Sequence, residues 1–287
     1  MVGIGASAGG LEALEWFFGN LPADTGAAYV VVQHLSPDHK SMMSDLLQRH
    51  TELPVSVVED GVPVEADHVY LIPPGQLLRI EGGRLKLMPK ATHGLSLPID
   101  GFLSSLASDC GSRSVAVVLS GTGSDGTRGA VEVNAAGGLL LAQDPEEARF
   151  DGMPRSVIAT GLVDAVLPAA KLAERIQSHL QNPVVSRASR APDLDRAEGD
   201  AEALERILAL LKQHSGIDFT GYKSSTVLRR IERRMQVRHL ASMADYLDAV
   251  SDLREELDLL KRELLIPVTS FFRDPAVYET LEQRVIR

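Results

Sequence analysis

Apolar residues fall in short, nearly unbroken runs along the first two thirds of the chain. They are Tyr29-Val30-Val31-Val32, Val55-Ser56-Val57-Val58, His68-Val69-Tyr70-Leu71-Ile72, Val115-Ala116-Val117-Val118-Leu119 and Gly138-Leu139-Leu140-Leu141-Ala142. Runs without polar alternation are strands buried on both faces, and stretches of helical spacing separate them here. The pattern predicts an α/β domain over residues 1–182, a doubly wound, mainly parallel sheet covered by helices. Leu77–Ile80, Gly82-Gly83 and Arg84–Met88 read as a hairpin inserted into that pattern. Residues 183–200 (PVVSRASRAPDLDRAEGD) have no hydrophobic period and read as a linker. From 201 the spacing changes to 3.6, with Leu204, Ile207, Leu208 and Leu211, then Val227, Ile231 and Met235, then Leu257, Leu260 and Leu264. A small all-α domain over 201–267 follows.

Charge sharpens the division. Lys plus Arg and Asp plus Glu number 12 and 21 in residues 1–182 but 14 and 14 in 201–287, so the acidity lies on the first domain. A net charge of −10 argues against nucleic acid as the main partner, since phosphate binding needs a basic excess. Cys110 is the single cysteine, which excludes a disulfide framework and a thiolate metal cluster; it reads as a small core residue. No His/Asp/Cys cluster has ligand spacing, so no metal is expected. There is no signal peptide and no apolar run near 18 residues, which points to a cytoplasmic protein with no membrane insertion.

The candidate chemistry starts at the first residues. In VGIGASAGG, Val2 and Ile4 look like a strand, and Leu11–Trp16 like the opening of a helix. Ser7 sits in the glycine-rich turn between them, beside helix-start N–H groups able to stabilise an oxyanion or cradle a phosphate. A lone serine is inert, so a base and an orienting group are needed. The second run ends in Gln33-His34, and the Val115–Leu119 run passes into Ser120-Gly121-Thr122-Gly123-Ser124-Asp125-Gly126. Ser7, His34 and Asp125 therefore lie at carboxyl ends of strands, where parallel sheets place ligands. His39 and Asp100 compete for the same roles. The order Ser–His–Asp along the chain differs from that of α/β-hydrolases. Gly3, Gly5 and Gly9 also allow a dinucleotide-binding oxidoreductase, although no acidic ribose ligand follows at the required distance.

At this point a family resemblance enters. GASAGG, Gln33-His34, Pro98-Ile99-Asp100, the Leu119–Gly126 loop and Gly152-Met153-Pro154-Arg155 resemble, in order, the catalytic domain of CheB-type chemotaxis protein-glutamate methylesterases. The resemblance implies hydrolysis of γ-glutamyl methyl esters on bacterial chemoreceptor helices, often with glutamine deamidation, and no cofactor. It implies Ser7 as nucleophile, His34 as general base and then acid, and Asp125 as the orienter of the imidazole. Backbone N–H groups at Ala8 and Thr122 would hold the oxyanion. Ala8 stands where the family commonly has threonine, and Thr122 where it commonly has methionine. These departures bear on rate and substrate fit more than on reaction type. A catalytically silent scaffold that keeps only the fold is the remaining alternative.

In the helical part, Val227, Leu228, Ile231 and Met235 share one face of a helix, and Arg229, Arg230, Arg233 and Arg234 the other. The arginines read as a solvated face or as a dock for an acidic partner helix, since guanidinium groups pair bidentately with carboxylates. With Leu264–Asp274, this helix resembles the N-terminal helical domain of CheR-type receptor methyltransferases. That likeness implies chemoreceptor helices as partner, and Thr269 and Arg273 as positions that contact S-adenosylmethionine in a full-length enzyme. Pro267 departs from the asparagine of many members. Residues 268–287 would be the start of a truncated methyltransferase domain, so methyl transfer by this chain alone is not expected. The whole resembles a fragment of a fused methylesterase–methyltransferase.

Overall fold

A computed structural model describes residues 1–34, 42–90, 96–181, 197–222, 224–238 and 240–265. Seven strands form one parallel sheet: β1 (Val2–Ala6), β2 (Ala28–Gln33), β3 (Val55–Val57), β4 (His68–Leu71), β7 (Val115–Val118), β8 (Leu139–Gln143) and β9 (Ala165–Leu167). Their order across the sheet is β3-β4-β2-β1-β7-β8-β9, and every pairing is parallel. Strands β5 (Gln76–Glu81) and β6 (Arg84–Pro89) form the separate antiparallel hairpin expected around Gly82-Gly83.

Both faces of the sheet are covered, which is why its strands lack polar alternation. On one face Val2, Ile4, Tyr29, Val31, Val117 and Leu141 pack against α1 (Gly10–Gly19) and α6 (Ala169–Leu180). Phe17, Phe18 and Tyr29 meet edge to face there, with centroids 5.1 to 6.4 Å apart. On the other face Val30, Val32, Ala116, Val118 and Leu140 pack against α3 (Pro98–Cys110), α4 (Thr127–Ala135) and α5 (Gly152–Ile158). Each fully buried side chain of this kind contributes roughly 1.5–3 kcal/mol of transfer free energy. Cys110 is half-buried against this second core, and burial pushes its thiol pKa up. A short helix, α2 (Met43–Gln48), leads toward β3.

Gly3 and Gly5 lie within β1, not in a loop. A Cβ on Gly3 would come within 2.8 Å of Leu106 Cδ2, and one on Gly5 would overlap Ile99 Cγ2. These glycines let α3 rest directly on the central strand. A dinucleotide fingerprint needs them in the turn, so that reading is overturned here.

The second domain contains α7 (Ala197–Ser215), α8 (Ser224–Val237), α9 (Met243–Asp252) and α10 (Arg254–Leu264). Ile207, Leu211, Phe219, Val227, Ile231, Tyr246, Val250 and Leu260 form its own core. Helix α7 starts at Ala197, inside the stretch read as linker, because Ala197-Glu198-Gly199-Asp200 continue the helix N-terminally. Most of that stretch lies outside the described residues. Among the described residues no helix is long and apolar enough to cross a membrane.

Candidate active site

The site forms where the strand order changes direction, around β1 with β2 on one side and β7 on the other. Register does most of the placing. Ala6 pairs with Gln33 and Gly5 with both Val32 and Val118. Ser7 and His34 are therefore the next residues of two adjacent strands, and His34 N–H donates to Ala6 O (3.4 Å). The ladder continues into the turn: Leu119 N–H donates to Gly5 O and Ser7 N–H to Ser120 O, both at 2.9 Å. The turn then reverses through Gly9, at φ +70°, where a Cβ would come within 2.8 Å of Ser120 Oγ.

Three side chains meet at this edge. Ser7 Oγ lies 3.1 Å from His34 Nδ1, and His34 Nε2 lies 2.7 Å from Asp125 Oδ2. With the ring proton on Nε2 donated to the carboxylate, Nδ1 keeps its lone pair toward the hydroxyl. The ring thus faces serine through Nδ1, the reverse of the Nε2-to-serine arrangement of chymotrypsin-like sites. Asp125 is 3% exposed and does not cap its own helix. Instead its carboxylate sits on the N-terminus of α3. Oδ2 accepts Ile99 N–H (3.1 Å), and Oδ1 accepts the N–H groups of Asp100 and Gly126 (2.9 Å each). Backbone donors and the helix dipole both favour negative charge there.

The competing residues separate cleanly. His34 takes Asp125 as its carboxylate, while Asp100 accepts Gly129 N–H of α4 at 2.9 Å. Burial pushes its carboxyl pKa up, with the Gly129 N–H pulling the other way. His39 lies outside the described residues, as do Thr269 and Arg273.

Ser7 and His34 line an open cleft of 460 Å³ with Gln33, Glu12, Glu15 and Arg149. The N–H of Ser7 is committed to Ser120 O, and that of Gly121 to Phe150 O (2.9 Å). The N–H groups of Ala8 and Thr122 have no partner among the described residues. Among those residues no group of three or more His, Cys, Asp or Glu is placed to hold a metal.

Ser120 is an organiser that the sequence did not single out. Its Oγ donates to Ala8 O (2.9 Å) and accepts Phe150 N–H (3.0 Å), while its N–H donates to the buried Gln143 Oε1 (2.8 Å). Its position at the end of the apolar Val115–Leu119 run was the only available signal. Gln33, next to His34, donates through Nε2 to Ser7 O (3.4 Å).

The arginine stripe is not an open dock. Arg230, Arg233 and Arg234 are 5%, 2% and 4% exposed. Arg230 Nη1 donates to Asn134 O (2.8 Å), and Arg233 Nε to Gly138 O (2.9 Å). Arg233 Nη2 pairs with Asp164 at 2.5 Å and Arg234 Nε with Glu256 at 2.8 Å; Glu263 pairs with Arg233 and lies 3.4 Å from Arg234. Burial alone would lower the Arg234 pKa, but Glu256, Glu263 and Asp164 together raise it. Burial raises Glu263, against the pull of Arg233 and Arg234. The expectation of a solvated or receptor-facing stripe is therefore corrected for these three residues: the first domain and α10 occupy that face. The side chain of Arg229 lies outside the description.

The parallel α/β domain thus holds a hydroxyl, an imidazole and a carboxylate in line at its switch point. Residues 2–176 match the CheB methylesterase family, and residues 202–265 match the all-alpha domain of CheR methyltransferases. The chain belongs to the CheB methylesterase family. It is 48% identical over 262 residues to an uncharacterised 104.1 kDa protein of Rhodobacter capsulatus, covering 85% of this chain and 28% of that protein. It is 36% identical over 182 residues to the protein-glutamate methylesterase/protein-glutamine glutaminase of Thermotoga maritima, covering 61% of this chain and 53% of the relative. The crystal structure of the Thermotoga maritima CheB methylesterase catalytic domain aligns with a TM-score of 0.57 at 36% identity, covering 61% of this chain and 96% of that one. The chain thus spans under a third of the first relative and about half of the second.

Proposed function

We propose that this chain is a serine methylesterase that removes methyl groups from glutamyl side chains of bacterial chemoreceptor helices, and that Ser7, His34 and Asp125 carry the reaction. The observation that carries this reading is the unbroken line Ser7 Oγ–His34 Nδ1–His34 Nε2–Asp125 Oδ2, at 3.1 and 2.7 Å. Family membership and the names of the Thermotoga maritima relative support the substrate class.

Ser7 Oγ attacks the ester carbonyl carbon while His34 Nδ1 takes the hydroxyl proton. Such general-base help is worth roughly 10²–10⁴-fold. Asp125 holds the ring and balances the imidazolium charge. The carbonyl oxygen, now an oxyanion, is held by the N–H groups of Ala8 and Thr122; one such donor contributes about 3–4 kcal/mol. The tetrahedral adduct collapses, His34 returns its proton to the departing methoxide, and methanol leaves. Water, deprotonated by His34, then cleaves the γ-acyl ester on Ser7 and releases the glutamate carboxylate. A glutamine side chain follows the same path with ammonia as leaving group.

The test is methanol release from methylated receptor peptide by wild type and Ser7→Ala. Release by the wild type and loss of about 10⁶-fold in the variant is expected. Equal release by both proteins would contradict the assignment, and no release by either would leave the silent scaffold.

A further inference from the structure

The helical domain grips the esterase at one particular element. Arg230 and Arg233 of α8 donate to Asn134 O and Gly138 O, the carbonyls that close the C-terminal end of α4 and lead into β8. A cation at a helix C-terminus also complements the dipole there. Arg233 continues to Asp164, whose Oδ2 accepts Leu140 N–H of β8 at 2.8 Å. A second clasp runs the other way, from Arg175 of α6 to Val237 O at the end of α8 (2.8 Å).

The opposite end of α4 is the catalytic end. Gly126, which caps α4, gives its N–H to Asp125 Oδ1. Gly129, in the first turns of α4, binds Asp100 Oδ1, and the Asp100 N–H binds Asp125 Oδ1 in turn. Helix α4 is thus a strut about 13 Å long. Its far end is held by the arginines, and its near end fixes the carboxylate that faces His34. A packed helix transmits a shift rather than absorbing it.

We propose that Arg230, assisted by Arg233, is a positioning residue for the esterase. Held at Asn134 O, it locks α4 so that Asp125 keeps its line to His34, and the helical domain is then a working part of the esterase rather than a tethered passenger. This inference rests on the proposed role of Asp125.

The experiment uses the full chain with Arg230→Met and Arg230→Lys. Methionine keeps the packing of the stem but removes the donor, and Asn134 O retains the Gly137 N–H (2.9 Å). For Arg230→Met, kcat of the folded protein should fall about tenfold, within the range that coupling through packed elements carries. KM should stay within about twofold, because the cleft is untouched. Arg230→Lys, which restores a cation at the same carbonyl, should recover much of kcat. Amide hydrogen exchange, which needs no substrate, should quicken at residues 126–129 as well as at 134–138. Faster exchange confined to 134–138, or an unchanged kcat, would overturn the proposal. Should Arg230→Met fail to fold, Arg230→Gln, which also withdraws the guanidinium from Asn134 O, takes its place with the same expected and overturning results. Methanol release that survives Ser7→Ala would overturn the esterase reading instead, and the exchange pattern would still judge the strut.

Discussion

Ser120 has its hydroxyl spent on scaffolding, yet it ties the nucleophile turn to the loop that faces it. It takes the Ser7 N–H on its carbonyl, binds Ala8 O and Phe150 N–H through Oγ, and anchors itself on Gln143. Removing Oγ takes a partner from the half-buried Phe150 N–H and Ala8 O, and such a hydrogen bond contributes about 0.5–1.5 kcal/mol net. Ser120→Ala should therefore lower kcat about tenfold with KM little changed, read from steady-state methanol release. An unchanged kcat would show that the turn holds its shape alone. At this scale the sequence exposed the groups that look chemical and hid those that hold them. Ser7, His34 and Asp125 stood out because each follows an apolar run. Nothing in the residues around Asp125 says that its partners are the Ile99 and Asp100 amides, because those donors belong to the backbone of a helix 25 positions away.

At the scale of elements, β1 and α3 work as one unit. Ile99 sits over Gly5 and Leu103 over Gly3, so the first turn of α3 is pressed against the strand that leads into Ser7. That contact brings the Ile99 and Asp100 N–H groups to Asp125. Adding a methyl group at Gly5 forces the two apart, and overpacking of this kind costs about 1–3 kcal/mol. Gly5→Ala should lower the melting temperature and kcat together, measured by thermal denaturation and methanol release on one preparation. A lowered melting temperature with full activity would separate α3 from the positioning of Asp125. The strands were legible because burial on both faces leaves continuous apolar runs. The short strand β9 (Ala165–Leu167) was not, since three residues at a sheet edge carry too little pattern. The start of α7 at Ala197 was hidden by the charged residues around it, which read as loop.

At the scale of the whole molecule, the two domains were legible from the change in hydrophobic period and charge, but their contact was not. A helical wheel puts only Arg233 across from Val227 and Ile231, with Arg230 and Arg234 beside Val227 at i+3 and i+7; it cannot show what stands beyond them. The structure puts Asn134 O, Gly138 O and Asp164 there, contributed by residues some 70 to 100 positions earlier, with Glu256 and Glu263 closing the other side. Burying such charges is unfavourable unless each is paired, and here the acidic excess of the first domain supplies part of the pairing. The same long-range assembly produces the reactive edge, where three strands far apart in sequence place one functional residue each. The claim that this edge is a serine hydrolase centre is tested most directly by treating the full chain with an organophosphonate and locating the adduct by peptide mass spectrometry. The account predicts one adduct, on Ser7, that disappears in His34→Ala. An adduct on another residue, or labelling of Ser7 that persists without His34, would contradict it.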